Sequence, residues 1–197
     1  MINNATRGSG ALESFLSRRR SELAGQYLPA TLRAGRILDI GCGRQPVFLS
    51  QIDFQEKYGL DPAVDSSTID DGLIKLIKEP FSGRALPFDD NYFQAITMLA
   101  VSEHINPEKF KLLLAEVFRV LVPGGRLFLT TPAPWSDVIL KTMVRFKLVS
   151  REEIEEHVNY LSIKQLTNLC TVTGFDVSKT KVGYFELFLN QWFYADK

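Results

Sequence analysis

Asp39, Gly41, Gly43 and Asp61 have the residue types and the spacing to hold a nucleotide cofactor. The two glycines punctuate Asp39-Ile-Gly-Cys-Gly43 directly after the apolar run Arg36-Ile-Leu-Asp-Ile40, so the chain reads as a strand entering a tight turn. A missing Cβ lets the backbone approach a ligand where a side chain would intrude. Asp61 closes a second run, Lys57-Tyr-Gly-Leu60, about twenty residues further on, the spacing at which an acid grips a ribose diol. Cys42, inside the turn, reads as a small buried filler rather than a nucleophile.

Two cofactor chemistries share this layout. A dinucleotide fingerprint needs a small residue in the third glycine slot, where the helix packs on the sheet. Pro46 fills that slot in Gly41-Cys-Gly-Arg-Gln-Pro46, which disfavours a nicotinamide-dependent oxidoreductase. Only two histidines are present, His104 and His157. His104 reads either as a neutral imidazole able to take a proton from a hydroxyl or as a capping residue before the helix start at Asn106. No cluster has metal-ligand spacing, so no metal is expected.

Further along, Gly59-Leu-Asp61-Pro62, Ala85-Leu-Pro-Phe-Asp-Asp-Asn-Tyr-Phe93, Met98-Leu-Ala-Val-Ser-Glu-His-Ile105 and Leu121-Val-Pro-Gly-Gly-Arg-Leu127 come after the glycine turn in order. With Ile37–Gly43, these segments resemble the motifs of the class I S-adenosylmethionine-dependent methyltransferases, with Gln45 in place of a third glycine. The resemblance spans Arg36 to Thr131 and continues more weakly beyond. It implies S-adenosyl-L-methionine as cofactor and methyl transfer to a small-molecule acceptor, a sugar or glycolipid precursor or a quinone-type metabolite. A module that binds the cofactor and has lost catalysis is the alternative kept open by Gln45 and Ser82.

The same resemblance distributes the site residues. Gly41, Cys42 and Gly43 border the methionine portion, and Asp39 organises the turn or meets the amino group. Asp61 and Pro62 face the ribose. Ser82 stands where the family often has an adenine-binding acid, with Gly83 and Arg84 beyond it. Ala100 lies where the chain leaves the fourth strand, and His104 lies beside the transferred methyl. His157 borders the acceptor pocket by making a substrate contact or a structural hydrogen bond. Arg18, Arg19 and Arg20 read as a solvated face of the first helix. Since an N-terminal helix often covers the cofactor in such proteins, the resemblance implies as the alternative that one of them approaches the methionine carboxylate.

The scaffold beneath these residues is read from strand–helix alternation. Alternation gives an α/β sheet, and the resemblance implies a Rossmann-like class I methyltransferase fold, with a mostly parallel seven-stranded sheet and helices on both faces. Residues 1–10 read as disordered and 11–197 as a single domain, with 11–35 a helical cover and 132–160 an insertion shaping the substrate site. Ala11–Leu23 brings Leu12, Phe15, Leu16 and Leu23 to one side of a helix. Strands are predicted at Arg36–Ile40, Glu56–Leu60, within Glu79–Ala85, at Phe93–Leu99 and at Arg126–Thr130. Asn106-Pro107 opens a helix that Pro123-Gly-Gly125 breaks, and Ser162-Ile-Lys-Gln165 is a capping box for another, to about Thr173. Phe175–Val182 and Leu189–Ala195 suit a closing hairpin. Its late aromatics, Tyr184, Phe185, Phe188, Trp192, Phe193 and Tyr194, suit a core, a homodimer surface or an apolar pocket.

The chain has 197 residues, with Lys+Arg and Asp+Glu equal at 23 each, and so no global field to recruit nucleic acid or an anionic membrane. No apolar run approaches the ~20 residues of a membrane span, and the N-terminus lacks a signal-peptide core. Two cysteines make no disulfide framework, and the expected setting is cytoplasmic.

Overall fold

The computed structural model describes residues 13–64, 73–81, 83–136 and 160–197. Strands β1 (Arg36–Ile40), β2 (Glu56–Leu60), β3 (Ile74–Ile77), β4 (Phe93–Leu99), β5 (Leu121–Pro132), β6 (Thr180–Phe185) and β7 (Asn190–Asp196) form one sheet in the order β3-β2-β1-β4-β5-β7-β6. The first five run parallel; β7 is antiparallel to both β5 and β6. Strand order reverses between β1 and β4, which opens a crevice at their carboxyl ends. β1 there is almost wholly buried, as a parallel strand covered on both faces must be.

Helices fill both faces. On one lie α4 (Pro107–Val120) and α5 (Ile163–Val172), burying Phe110, Leu113, Leu114, Val117 and Leu166 against Leu38, Ile96 and Leu129. Asn106 caps α4 by accepting the Glu108 N–H at 3.0 Å, and Pro107 begins it. The expected capping box of α5 is present at Ser162 and Gln165. On the other face lie α1 (Glu13–Tyr27), α2 (Ala30–Arg33) and the short α3 (Val47–Gln51), covering Ile37, Ala95 and Phe128.

Several boundaries differ from the sequence reading. The third strand precedes Glu79–Ala85, because Ile74-Lys-Leu-Ile77 pairs with Lys57–Leu60 and Pro80 has no N–H to continue the ladder. Pro123-Gly-Gly125 is not the helix stop. Leu121 is already extended, and the register jumps from Phe93↔Leu121 to Ala95↔Arg126, so the triplet forms an irregularity inside a longer β5. The hairpin begins only at Thr180, since Asp176 accepts the Ser178 N–H at 2.8 Å and holds Val177–Lys179 in a 3-10 turn.

α1 also runs past Leu23, and the expected stripe holds in part: Leu23 packs against the core and Leu16 is partly buried, Phe15 is not, and Leu12 lies outside the described residues. Phe15 is 56% exposed, whereas Ala24 and Leu28 are fully buried. Tyr27 stacks on Trp192 with ring centroids 4.2 Å apart, and so ties α1 to β7. Gly183, the register partner of Trp192, makes room for that indole: a Cβ there would sit 2.6 Å from the ring. The aromatics therefore divide. Phe193 and Tyr194 are core and Trp192 anchors the helix, whereas Tyr184 and Phe188 are exposed.

Candidate active site

The crevice is built where β1 and β2 end. Gly41 donates its N–H to Leu60 O at 2.7 Å and takes φ +76°, a conformation that strains any other residue type. A Cβ at Gly41 would lie 2.4 Å from Val101 Cγ2, so the glycine turn also depends on the segment leaving β4. Gly43 donates its N–H to Asp61 Oδ2 at 3.0 Å, and the Ala63 N–H reaches Asp61 Oδ1 at 2.7 Å. Asp61 is thus a clamp between the glycine turn and the end of β2, fully buried, with Pro62 exposed beside it. Cys42 is buried with its sulfur facing Gly59, as expected of a filler. Pro46 precedes α3 at its N-cap without a side-chain cap bond.

Asp39 lies 3% exposed between β2 and β4, with the Thr97 hydroxyl donating to its Oδ1 at 2.6 Å. Burial pushes its carboxyl up to about 7; the Thr97 hydroxyl opposes that rise and the nearby Asp61 charge adds to it. A narrow cavity of about 40 Å³ joins Asp39, Gly41 and Cys42 to Ser17 and Arg20 of α1. Arg18 and Arg19 each pair with Glu22 at 2.9 Å, which singles out Arg20 as the arginine lining this cavity.

A second cavity, about 300 Å³, lies beyond the end of β2 between Leu60 and Leu86, with Glu79, Phe81 and Arg84 on its walls. Arg84 was expected there; Glu79 and Phe81 were not singled out, because the resemblance put the adenine contacts at Ser82, Gly83 and Arg84. Gly83 takes φ +87° next to Arg84, and Ser82 lies outside the described residues.

The third part is the turn after β4. Ala100 takes φ +58° and donates its N–H to Thr130 O at 3.0 Å, which swings the chain over the crevice. His104 closes the 3-10 turn Ser102–His104 and is partly buried. Glu103 beside it is 1% exposed, accepting from the Thr131 hydroxyl at 3.3 Å and the Ser102 hydroxyl at 3.5 Å. Burial pushes Glu103 up to about 7 against its own backbone hydrogen bond, the Arg20 charge and these hydroxyls. Glu103 is thus a buried acid, not a solvated one. His157 lies outside the described residues, as does most of 132–160 and all of 1–10.

Among the described residues no group of three or more His, Cys, Asp or Glu is arranged to hold a metal, and no helix is long and apolar enough to cross a membrane.

A switch-point crevice beside a glycine turn and two strand-end acids is the place where open α/β sheets bind nucleotide cofactors. Residues 11–180 match the methyltransferase domain family, and the chain belongs to it. It is an S-adenosylmethionine-dependent methyltransferase with a Rossmann-like class I fold, its sheet mostly parallel with one antiparallel hairpin. Similar solved structures include a SAM-dependent methyltransferase from Archaeoglobus fulgidus, 18% identical over 92% of this chain and 94% of that one with TM-score 0.69. A second, from Mesorhizobium loti, is 17% identical over 92% and 100% with TM-score 0.68. A third, from Thermotoga maritima and described as a possible histamine N-methyltransferase, is 19% identical over 93% and 91% with TM-score 0.66. At these identities the likeness is one of fold. No protein of curated function matches the sequence.

Proposed function

We propose that the Asp39–Asp61 crevice holds S-adenosylmethionine and that the face around Glu103, His104 and Thr131 receives a small-molecule acceptor. The observation that carries this reading is the pairing of Arg20 and Asp39 on one cavity with the Gly41 turn. A cation and an anion there complement the carboxylate and ammonium of a methionine. Asp61, held by the Gly43 and Ala63 N–H groups at the end of β2, is the acid that meets the ribose hydroxyls in this reading. The cavity between Leu60 and Leu86 suits adenine, with Phe81 as an apolar wall and Glu79 and Arg84 as polar partners. The donor set therefore fits the cofactor from end to end.

The bound cofactor supplies an electrophilic methyl on a positively charged sulfur. The chain's own work is to orient and to exclude water. Arg20 and Tyr27 bring α1 over the crevice, and Val101 packs against the Gly41 turn. His104 acts as the base that takes a hydroxyl proton from the acceptor. Asn106 caps α4 through its own side chain, so the helix start does not call on His104. A sugar or glycolipid precursor, or a quinone-type metabolite, carries such a hydroxyl. Cys42 and Cys170 are both buried and neither is in a disulfide, which supports a reducing, cytoplasmic setting.

The test is release of S-adenosylhomocysteine, monitored by mass spectrometry, across a panel of hydroxyl-bearing metabolites. Release above the acceptor-free rate with at least one of them is expected. Tight cofactor binding with no release across the panel would contradict this acceptor class.

A further inference from the structure

The β6–β7 hairpin tip is built against its own backbone. Glu186, Leu187 and Phe188 take φ +52°, +55° and +67°, three consecutive left-handed residues with no glycine among them. Asn, Asp or Gly accept that conformation readily, whereas Leu and Phe are strained in it. The strain displays apolar surface: Leu187 is 90% exposed and Phe188 66%. Trp135 and Tyr184, with ring centroids 5.2 Å apart, extend the patch, and Phe188 lies 6.1 Å from Tyr184.

The patch borders the acceptor end of the crevice. Leu189 O accepts the Ala133 N–H at 2.8 Å, so the tip is tied to the end of β5. Tyr184 and Thr131 are both register partners of Gln191, and the Thr131 hydroxyl reaches Glu103 beside His104. Its four side chains expose roughly 400–500 Å². That is well short of the ~800 Å² per partner of a stable protein interface, so a second copy would be held poorly. A protruding Leu-Phe pair flanked by Trp and Tyr has instead the chemistry of the bilayer interface, where apolar tips enter acyl chains and amphipathic rings sit at the headgroups.

We propose that the hairpin tip inserts into a lipid bilayer and that the methyl acceptor is lipid-borne, presented to the crevice from the membrane surface. This rests on the acceptor face lying around Glu103, His104 and Thr131. With formal net charge +0, attachment relies on apolar insertion and is insensitive to salt.

The experiment is flotation of the full chain with phosphatidylcholine vesicles at low and high salt. Wild type is compared with Leu187→Asp/Phe188→Asn, whose new residues suit left-handed backbone, and with Leu187→Ala/Phe188→Ala. Wild type floats equally at both salts, both variants partition about 10-fold less or worse, and their S-adenosylmethionine affinity, measured by calorimetry, stays within about twofold of wild type. A wild type that stays in solution, variants that float as well as wild type, or variants whose only change is loss of self-association in sedimentation would each overturn the proposal. Wild type that floats without binding S-adenosylmethionine would sink the crevice reading and leave the membrane tip standing.

Discussion

Asp39 and Thr97 are register partners across the β1–β4 pairing, and the Thr97 hydroxyl donates to the Asp39 carboxylate at 2.6 Å with both side chains buried. The acid is held near its own titration point, at about 7, chiefly by burial. A ligand ammonium beside it favours the carboxylate, so cofactor binding below that pH expels a proton. S-adenosylmethionine affinity is expected to rise as pH increases from about 6 to 8, with proton release on binding that Asp39→Asn lacks. Calorimetry in two buffers of different ionisation enthalpy checks this; equal proton release by the mutant would contradict it.

Without ligand the same group acts on stability in the opposite sense to a paired surface acid. Its folded pKa lies above the ordinary value of 3.8, so between about 4 and 7 the native state keeps a proton that the unfolded chain has lost. Unliganded stability therefore falls as pH rises through that window and levels off above it. Glu103 is also pushed up to about 7 and contributes in the same direction. The readout is the difference between wild type and Asp39→Asn in melting temperature against pH, with the mutant showing the flatter profile.

Asp61→Ala removes two things at once. The ribose loses an ionised acceptor, weakening cofactor binding by about 10- to 100-fold. The Gly43 and Ala63 N–H groups lose theirs, so the melting temperature falls by roughly 5–10 °C. Unchanged affinity in the folded mutant would remove Asp61 from the site.

Gly41→Val is expected to abolish cofactor binding and to lower the melting temperature, because the new Cβ meets Val101 at 2.4 Å on a backbone with φ +76°. Adding Val101→Ala relieves the clash and recovers part of the melting temperature, leaving binding impaired. Independent, additive effects of the two substitutions would mean that the turn after β4 does not brace the glycine turn.

His104→Gln is expected to leave cofactor affinity within about threefold while turnover falls by ~100-fold or more and the acidic limb of the pH–rate profile disappears. Wild-type turnover in this mutant would leave methyl transfer to positioning alone.

The glycine turn and the strand-end acids of the proposed site were legible because their signals are local. Gly41 and Gly43 serve backbone conformation, and Asp39 and Asp61 end strands whose apolar runs announce them. The rest depends on tertiary packing that spacing does not encode. Nothing in Arg18-Arg-Arg20 distinguishes the arginine on the cavity from the two that pair with Glu22. Pro123-Gly-Gly125 carries the composition of a helix stop, and only the β4 register turns it into an irregularity of β5. The burial of Glu103 depends on Thr131, twenty-eight positions away. The late aromatics likewise separate into core, helix anchor and exposed tip only when Gly183 opens space for Trp192.

All of this chemistry requires that the crevice between Asp39 and Asp61 bind S-adenosylmethionine. The decisive measurement is calorimetric titration of the purified chain, and of Asp61→Ala, with S-adenosylmethionine and separately with NADH and NADPH. Saturable one-to-one binding of S-adenosylmethionine, weakened about 10- to 100-fold by the substitution, with no heat from either dinucleotide, is the expected result. Binding of a dinucleotide in its place, or S-adenosylmethionine binding indifferent to Asp61, would contradict it.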